Sequence, residues 1–148
     1  MTPKARATVV YIDTRAYTSL MKFLGVDFGT KRIGLALSDE GGLMAFPKGT
    51  IPNDGKALAA IELLVKQERV AAIVVGDAKA FGGKENDVTP EADAFADALA
   101  KIGVPVERIW EAWSSREASR FAPEGEGHND AAAAAVILQR FLDTRAKE

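Results

Sequence analysis

The sequence lacks cysteine, long apolar runs and an excess of either charge. Without cysteine among the 148 residues, disulfide bonds and thiolate metal sites are excluded. No apolar run approaches the roughly 18 residues that a membrane-spanning helix needs, so the sequence predicts no membrane association. The 19 basic and 21 acidic residues give a formal net charge of -2. This balance argues against a protein that coats nucleic acid non-specifically, but it permits a local basic patch around an acidic pocket.

The length and composition indicate one globular domain preceded by a short extension. A chain of 148 residues with 47% hydrophobic and 27% charged residues is typical of a soluble protein with a sizeable core. The apolar stretch ATVVYI near the amino terminus is too short for a secretory signal. Residues 1–20 are therefore predicted to be a loosely attached extension, and the domain is predicted to occupy residues 21–148.

The first half of the domain predicts three strands, a helix and a fourth strand. Short apolar runs cover residues 22–28, 32–38 and 43–51, and their tight, glycine-bearing connections predict an antiparallel meander. Pro47 in the third run is typical of an edge strand or a bulge. Helical spacing over 56–67 follows, with Asn53 and Asp54 as candidate caps. The run VAAIVV is typical of a strand buried on both faces in a parallel arrangement.

The second half adds a helix over 89–103, a strand over 104–110, a short helix that a capping box opens at 114–117, and a long helix after Asn129. Three antiparallel strands followed by two right-handed crossovers predict an α/β fold. Its mixed five-stranded sheet, with three antiparallel strands and then parallel strands, is flanked by helices.

Three carboxylates stand at the ends of predicted elements. Asp27 lies near the end of the first strand, Glu111 at the end of the last strand and Asp130 in the first turn of the final helix. A buried charge is costly unless it is paired or binds a metal, and hard divalent cations prefer oxygen ligands. We therefore expect the three to converge as catalytic metal ligands. Taken singly, Asp130 also suits a helix N-terminus, and Glu111 suits a solvated strand end.

Glycine and basic residues form a candidate phosphate-binding edge beside this site. A glycine-bearing hairpin can offer backbone N–H groups to a phosphate, and lysine adds positive charge. An ordinary turn with solvated basic side chains explains the same pattern equally well. The candidate substrate-binding residues are Gly29, Thr30, Lys31, Arg32, Lys79 and Arg116.

The segments MKFLGVDFGTKRIGLALSD, VPVERIWEAWSSREASR and HNDAAAAAVILQRFLD resemble the YqgF/RuvX family of the ribonuclease H-like superfamily. DFGTKRIG is the most specific of the shared motifs. The resemblance implies a ribonuclease H-like fold and a cytoplasmic nuclease that depends on Mg²⁺ or Mn²⁺. It also implies a role in maturing the 5′ end of pre-16S ribosomal RNA, with structured RNA and pre-ribosomal particles as partners. The family's three acids correspond to Asp27, Glu111 and Asp130.

Three alternatives stay open at this point. A Holliday junction resolvase would share the metal chemistry, act on branched DNA and need a homodimer rather than a monomer to cut two strands symmetrically. Trp110 and Ala112 stand where the family has Asp and Arg beside its second acid, which favours a nucleic-acid-binding module with impaired catalysis. The Asp-x-Gly-Thr turn also resembles the phosphate turn of actin-like ATPases, but the chain is too short for their two-lobed fold.

Overall fold

The computed structural model describes residues 21–77, 88–109 and 130–146, and these form five strands and three helices. In chain order the elements are β1 (Lys22–Phe28), β2 (Arg32–Ser38), β3 (Ala45–Pro52), α1 (Ala57–Glu68), β4 (Val70–Asp77), α2 (Val88–Ala100), β5 (Val106–Ile109) and α3 (Asp130–Ala146). The predicted extension at 1–20 and the predicted short helix at 114–117 lie outside the described residues. Among the three helices, none combines the length and the apolar composition that crossing a bilayer requires.

The strands form one mixed sheet in the order β3-β2-β1-β4-β5. The β1–β2 and β2–β3 pairs are antiparallel, whereas β1–β4 and β4–β5 are parallel. The predicted mixed five-stranded architecture is therefore confirmed. The prediction for Pro47 is also confirmed, because it lies on edge strand β3 beside a bulge: Leu35 pairs with Gly49 and Ala36 with Pro47, which leaves Lys48 as the extra residue.

Alternation along the strands divides the core between two faces of the sheet. Residues 23 and 25 of β1 face α3, whereas residues 24, 26 and 28 face α1 and α2. The α3 side includes Phe23, Ala36, Val74, Ile137, Leu138 and Leu142. The opposite side includes Leu24, Val26, Ile33, Ile61, Ile73 and Leu99. The continuous apolar run of β4 follows from this arrangement, because that strand is covered by helices on both faces.

Helix α3 lies unusually close to the sheet because small residues meet on both surfaces. The buried alanine run at 131–135 provides the helix side. On the sheet side, a Cβ atom added to Gly25 would come within 2.8 Å of the Ala134 carbonyl oxygen and of the Leu138 Cβ, and one added to Gly76 would overlap the side chain of Ile137. An isolated glycine in a strand is a signal of close backbone approach. These contacts fix where α3 begins relative to the strand ends.

The β2–β3 turn is held by the carboxylate of Asp39. Its Oδ1 accepts hydrogen bonds from the backbone N–H groups of Leu43 at 2.8 Å and Met44 at 2.9 Å. The predicted third strand began at residue 43, but these two residues belong to the turn, and β3 begins at Ala45. The hydrogen bonds, that from Met44 first, lower the pKa of Asp39 below its ordinary value of 3.8, since they favour the charged form.

We expect Asp39→Ala to lower the free energy of unfolding at pH 7 by about 1 kcal/mol, because two hydrogen bonds to a carboxylate are lost. A carboxyl group with a depressed folded-state pKa contributes its stability above the unfolded value of 3.8 and loses it as the pH falls through the folded pKa. Urea unfolding of both proteins at several pH values measures this. The difference between them should shrink below pH 3.8; a difference that stays constant down to about pH 2 would contradict this role of Asp39.

Candidate functional site

The centre of the candidate site is Asp27 at the carboxyl end of β1. Among the residues whose burial the structure describes, it is the only buried charged residue, with 7% of its surface exposed. Charged side chains are rarely buried this far without a specific interaction. Alternation along β1 puts Asp27 on the same face as Phe23 and Gly25, which is the face that α3 covers. The carboxylate therefore belongs to the layer between the sheet and α3.

Asp130 is brought to this position by Gly34. Gly34 is the partner of Asp27 in the antiparallel β1–β2 ladder, and paired residues project to the same face of a sheet. A Cβ atom added to Gly34 would overlap the backbone carbonyl of Asp130 and approach the Ala131 nitrogen to 3.0 Å. The first residue of α3 therefore lies against the strand directly beside Asp27. Two of the three predicted acids therefore occupy neighbouring positions at this end of the sheet.

Arg32 contacts the second of these acids. Its Nε donates a hydrogen bond to Oδ2 of Asp130 at 2.8 Å, across 98 residues of sequence. The Asp130 side chain is 18% exposed and that of Arg32 is 61% exposed. Arg32, which the sequence predicts to bind phosphate, is thus the counter-ion of Asp130, which the sequence predicts to bind a metal. Thr30 and Lys31, which precede it, are exposed in the β1–β2 turn, and Gly29 is half-buried there.

Asn53, the residue after β3, holds this turn in place. Its side-chain Nδ2 donates to the Gly29 carbonyl at 2.7 Å, and its backbone N–H donates to the Lys31 carbonyl at 3.0 Å. The prediction that Asn53 caps α1 was wrong, since the helix begins at Ala57 and it is Asp54 whose carboxylate accepts the Lys56 N–H at 2.9 Å. An Asn four residues before a helix resembles a cap in sequence, and only the strand pairing reveals its role in the turn.

Strand β5 ends on the side of the sheet where β1 ends. Its last residue, Ile109, pairs with Gly76, which pairs in turn with Asp27 on the next strand. The third predicted acid, Glu111, follows two residues later and lies outside the described residues, as do Trp110, Ala112, Lys79 and Arg116. The parallel register of β1, β4 and β5 means that these strands end together at the side of the sheet that carries Asp27.

The described donors suit a hard divalent cation. They are carboxylate oxygens, and cysteine is absent from the chain, which favours Mg²⁺ or Mn²⁺ over softer metals. Residues 21–77, 88–109 and 130–146 contain no cluster of three or more His, Asp or Glu side chains that could hold a metal. The third carboxylate of the predicted site, Glu111, lies outside these residues. Asp27 and Asp130 are compatible with such a site.

The fold is similar to that of Thermus thermophilus RuvC, which has been solved alone and in complex with a Holliday junction substrate. The TM-scores are 0.55 and 0.56, with 18% and 17% sequence identity. The alignments cover 86% and 85% of this chain and 97% and 96% of the RuvC chains. This likeness defines the class of protein: the chain has the ribonuclease H-like fold that RuvC shares.

The chain belongs to the RuvX family, whose model is described as Holliday junction resolvase and matches residues 21–144. The curated relatives that carry the name "Putative pre-16S rRNA nuclease" include proteins from Oleidesulfovibrio alaskensis and Anaeromyxobacter dehalogenans. The relative from Oleidesulfovibrio alaskensis is 38% identical over 83% of this chain and 92% of its own length. That from Anaeromyxobacter dehalogenans is 43% identical, over 85% and 99%. The resemblance seen in the sequence is confirmed, and the family is one of enzymes that hydrolyse phosphodiester bonds.

Proposed function

We propose that this protein is a nuclease, dependent on Mg²⁺ or Mn²⁺, that hydrolyses a phosphodiester bond during 5′-end maturation of pre-16S ribosomal RNA. The observation that carries the proposal is the approach of Asp130 to the buried Asp27 across Gly34, at the edge where the parallel strands end. The names of the curated relatives support the RNA substrate. Ribosomal RNA as substrate makes the cytoplasm the expected compartment, and pre-ribosomal particles the expected partners.

In this proposal Asp27, Glu111 and Asp130 hold the cations and offset their charge. Divalent cations at such a site can lower the pKa of an attacking water and stabilise the leaving oxygen. Burial of Asp27 fixes its carboxylate and keeps bulk water from screening it. The turn at residues 29–31, which Asn53 holds in place, offers backbone N–H groups and the exposed Lys31 ammonium to a phosphate. Lys79 and Arg116 are proposed to extend this positive edge.

The test compares two substrates with the purified full-length protein. One is RNA that carries the 5′ precursor sequence of 16S ribosomal RNA, and the other is a four-way DNA junction, each with Mn²⁺ and with EDTA. We expect cleavage of the RNA that requires Mn²⁺ and an intact junction. Asp97→Asn, which changes an exposed carboxylate on α2, is the matched control and should cleave as the wild type does.

A junction resolvase is the second candidate, because the matching family model carries that description. Paired symmetric nicks in the DNA junction, made by a homodimer while the RNA stays intact, would replace the proposed function with this one. RNA binding that EDTA leaves unchanged, with neither substrate cleaved, would instead favour the binding module that Trp110 and Ala112 suggest. A monomer that cleaves only the RNA supports the proposal.

A further inference from the structure

The ion pair between Arg32 and Asp130 couples the phosphate-facing turn to the proposed metal site. Arg32 is the first residue of β2, immediately after the exposed turn that Thr30 and Lys31 occupy. Its Nε nevertheless donates a hydrogen bond to Oδ2 of Asp130, at the first residue of α3, at 2.8 Å. In the proposed site the Asp130 carboxylate would also ligate a cation. The guanidinium of Arg32 and the cation would therefore compete for the same oxygen.

We propose that Arg32 is an exchangeable counter-ion: it neutralises Asp130 when the site holds no cation and moves onto a nucleic-acid phosphate when a divalent cation binds. This inference rests on the proposed metal-dependent nuclease function. A guanidinium next to a divalent cation would be repelled at short range. The same group binds phosphate well, because its planar donors match phosphate oxygens.

The burial of the two partners supports exchange rather than a fixed structural bridge. The Arg32 side chain is 61% exposed, so it can leave Asp130 without opening the core, whereas Asp130 is only 18% exposed and stays against the sheet. Exposed ion pairs contribute little to stability, and among the described residues no second ion pair holds Arg32 in place. Arg32 is therefore the partner that can move when a cation competes for Asp130.

Because of this exchange, cation binding at the metal site raises the affinity for nucleic acid, and nucleic-acid binding raises the affinity for the cation. A bound cation would free Arg32 for phosphate, and by linkage a nucleic acid that engages Arg32 would raise the affinity for the cation by the same factor. A protein of this kind would hold substrate weakly until its metal site is filled. The coupling would be lost in a variant that has no guanidinium at position 32.

The experiment measures Mn²⁺ binding alone, by isothermal titration calorimetry and by electron paramagnetic resonance of free Mn²⁺. The proteins are the wild type, Arg32→Gln, Arg32→Lys and Asp27→Asn, all without nucleic acid. We expect Arg32→Gln to bind Mn²⁺ about three- to tenfold more tightly than the wild type, because a competing cation is removed. Arg32→Lys keeps the charge and should stay within about twofold of the wild type. Thermal unfolding confirms that each variant is folded.

A second measurement follows the affinity for a fluorescein-labelled 16S precursor RNA, with Ca²⁺ in place of Mn²⁺ to hold back cleavage. The ratio of RNA affinities with Ca²⁺ and with EDTA should fall toward one in Arg32→Gln. Equal or weaker Mn²⁺ binding by Arg32→Gln would overturn the exchange, since Arg32 would then be a bystander or would hold Asp130 for the cation. No Mn²⁺ binding by the wild type, or binding unaffected by Asp27→Asn, would overturn the proposed function itself.

Discussion

Asp27→Asn is expected to lower the rate of RNA cleavage by about 10³-fold or more, which corresponds to about 4 kcal/mol of transition-state stabilisation. Asparagine has nearly the shape of aspartate but lacks the negative charge that ligates and offsets a divalent cation. Single-turnover cleavage of the 5′ precursor RNA with saturating Mn²⁺ measures the effect. Asp97→Asn should retain the wild-type rate, because that carboxylate is exposed on α2, across the sheet from the site.

The stability of Asp27→Asn separates a catalytic role from a structural one. Asparagine fills nearly the same volume as the aspartate, which is 7% exposed, and it removes a charge whose burial carries a desolvation cost, so the melting temperature without metal should stay near that of the wild type. A lower melting temperature accompanied by a modest loss of rate would indicate that Asp27 serves the fold. An unchanged rate would remove Asp27 from the site altogether.

Gly34→Ala is expected to reduce cleavage by about 10²-fold in protein that is still folded. The added Cβ would overlap the Asp130 carbonyl, so the start of α3 must move away from β2 by on the order of 1 Å. A displacement of that size in a catalytic group can cost about 10²-fold in rate. Overpacking should also lower the free energy of unfolding by about 1–3 kcal/mol. Rates measured well below the melting temperature separate the two effects.

Gly55→Ala is the matched control for this substitution. A Cβ atom at Gly55 meets nothing within 4 Å, so both the rate and the melting temperature should stay near those of the wild type. Loss of stability in Gly34→Ala with a wild-type rate would show that Asp130 need not be held against β2 for catalysis. That result would contradict the geometry on which the candidate site depends.

The sequence predicted the elements around the site better than it predicted the site. The limits of β1 and β2 follow from apolar runs bounded by a glycine-bearing turn, and both were confirmed. The start of β3 was wrong by two residues because the Asp39 carboxylate draws Leu43 and Met44 into the turn. Hydrophobic periodicity does not reveal a side-chain contact of this kind.

The sequence predicts that Asp27 and Asp130 converge, and the fold places the backbone of Asp130 against Gly34, the strand partner of Asp27. This placement depends on which strands pair, on their register and on the absence of a side chain at Gly34. A glycine within the run RIGLALS was the available signal, since an isolated glycine in a strand indicates close backbone approach. The contact of Arg32 with Asp130 spans 98 residues, and no local pattern predicts a partner so distant. The role of Glu111 stays a prediction.

A crystal structure with Mn²⁺, together with its anomalous difference map, would show whether Asp27 and Asp130 share a divalent-cation site. We predict an anomalous peak at the carboxyl end of β1, with oxygens of both carboxylates within roughly 2.0–2.5 Å of it. Glu111 is predicted to complete the ligand set. A well-ordered map in which Mn²⁺ lies elsewhere, or in which the two carboxylates point away from a common ion, would contradict the shared site.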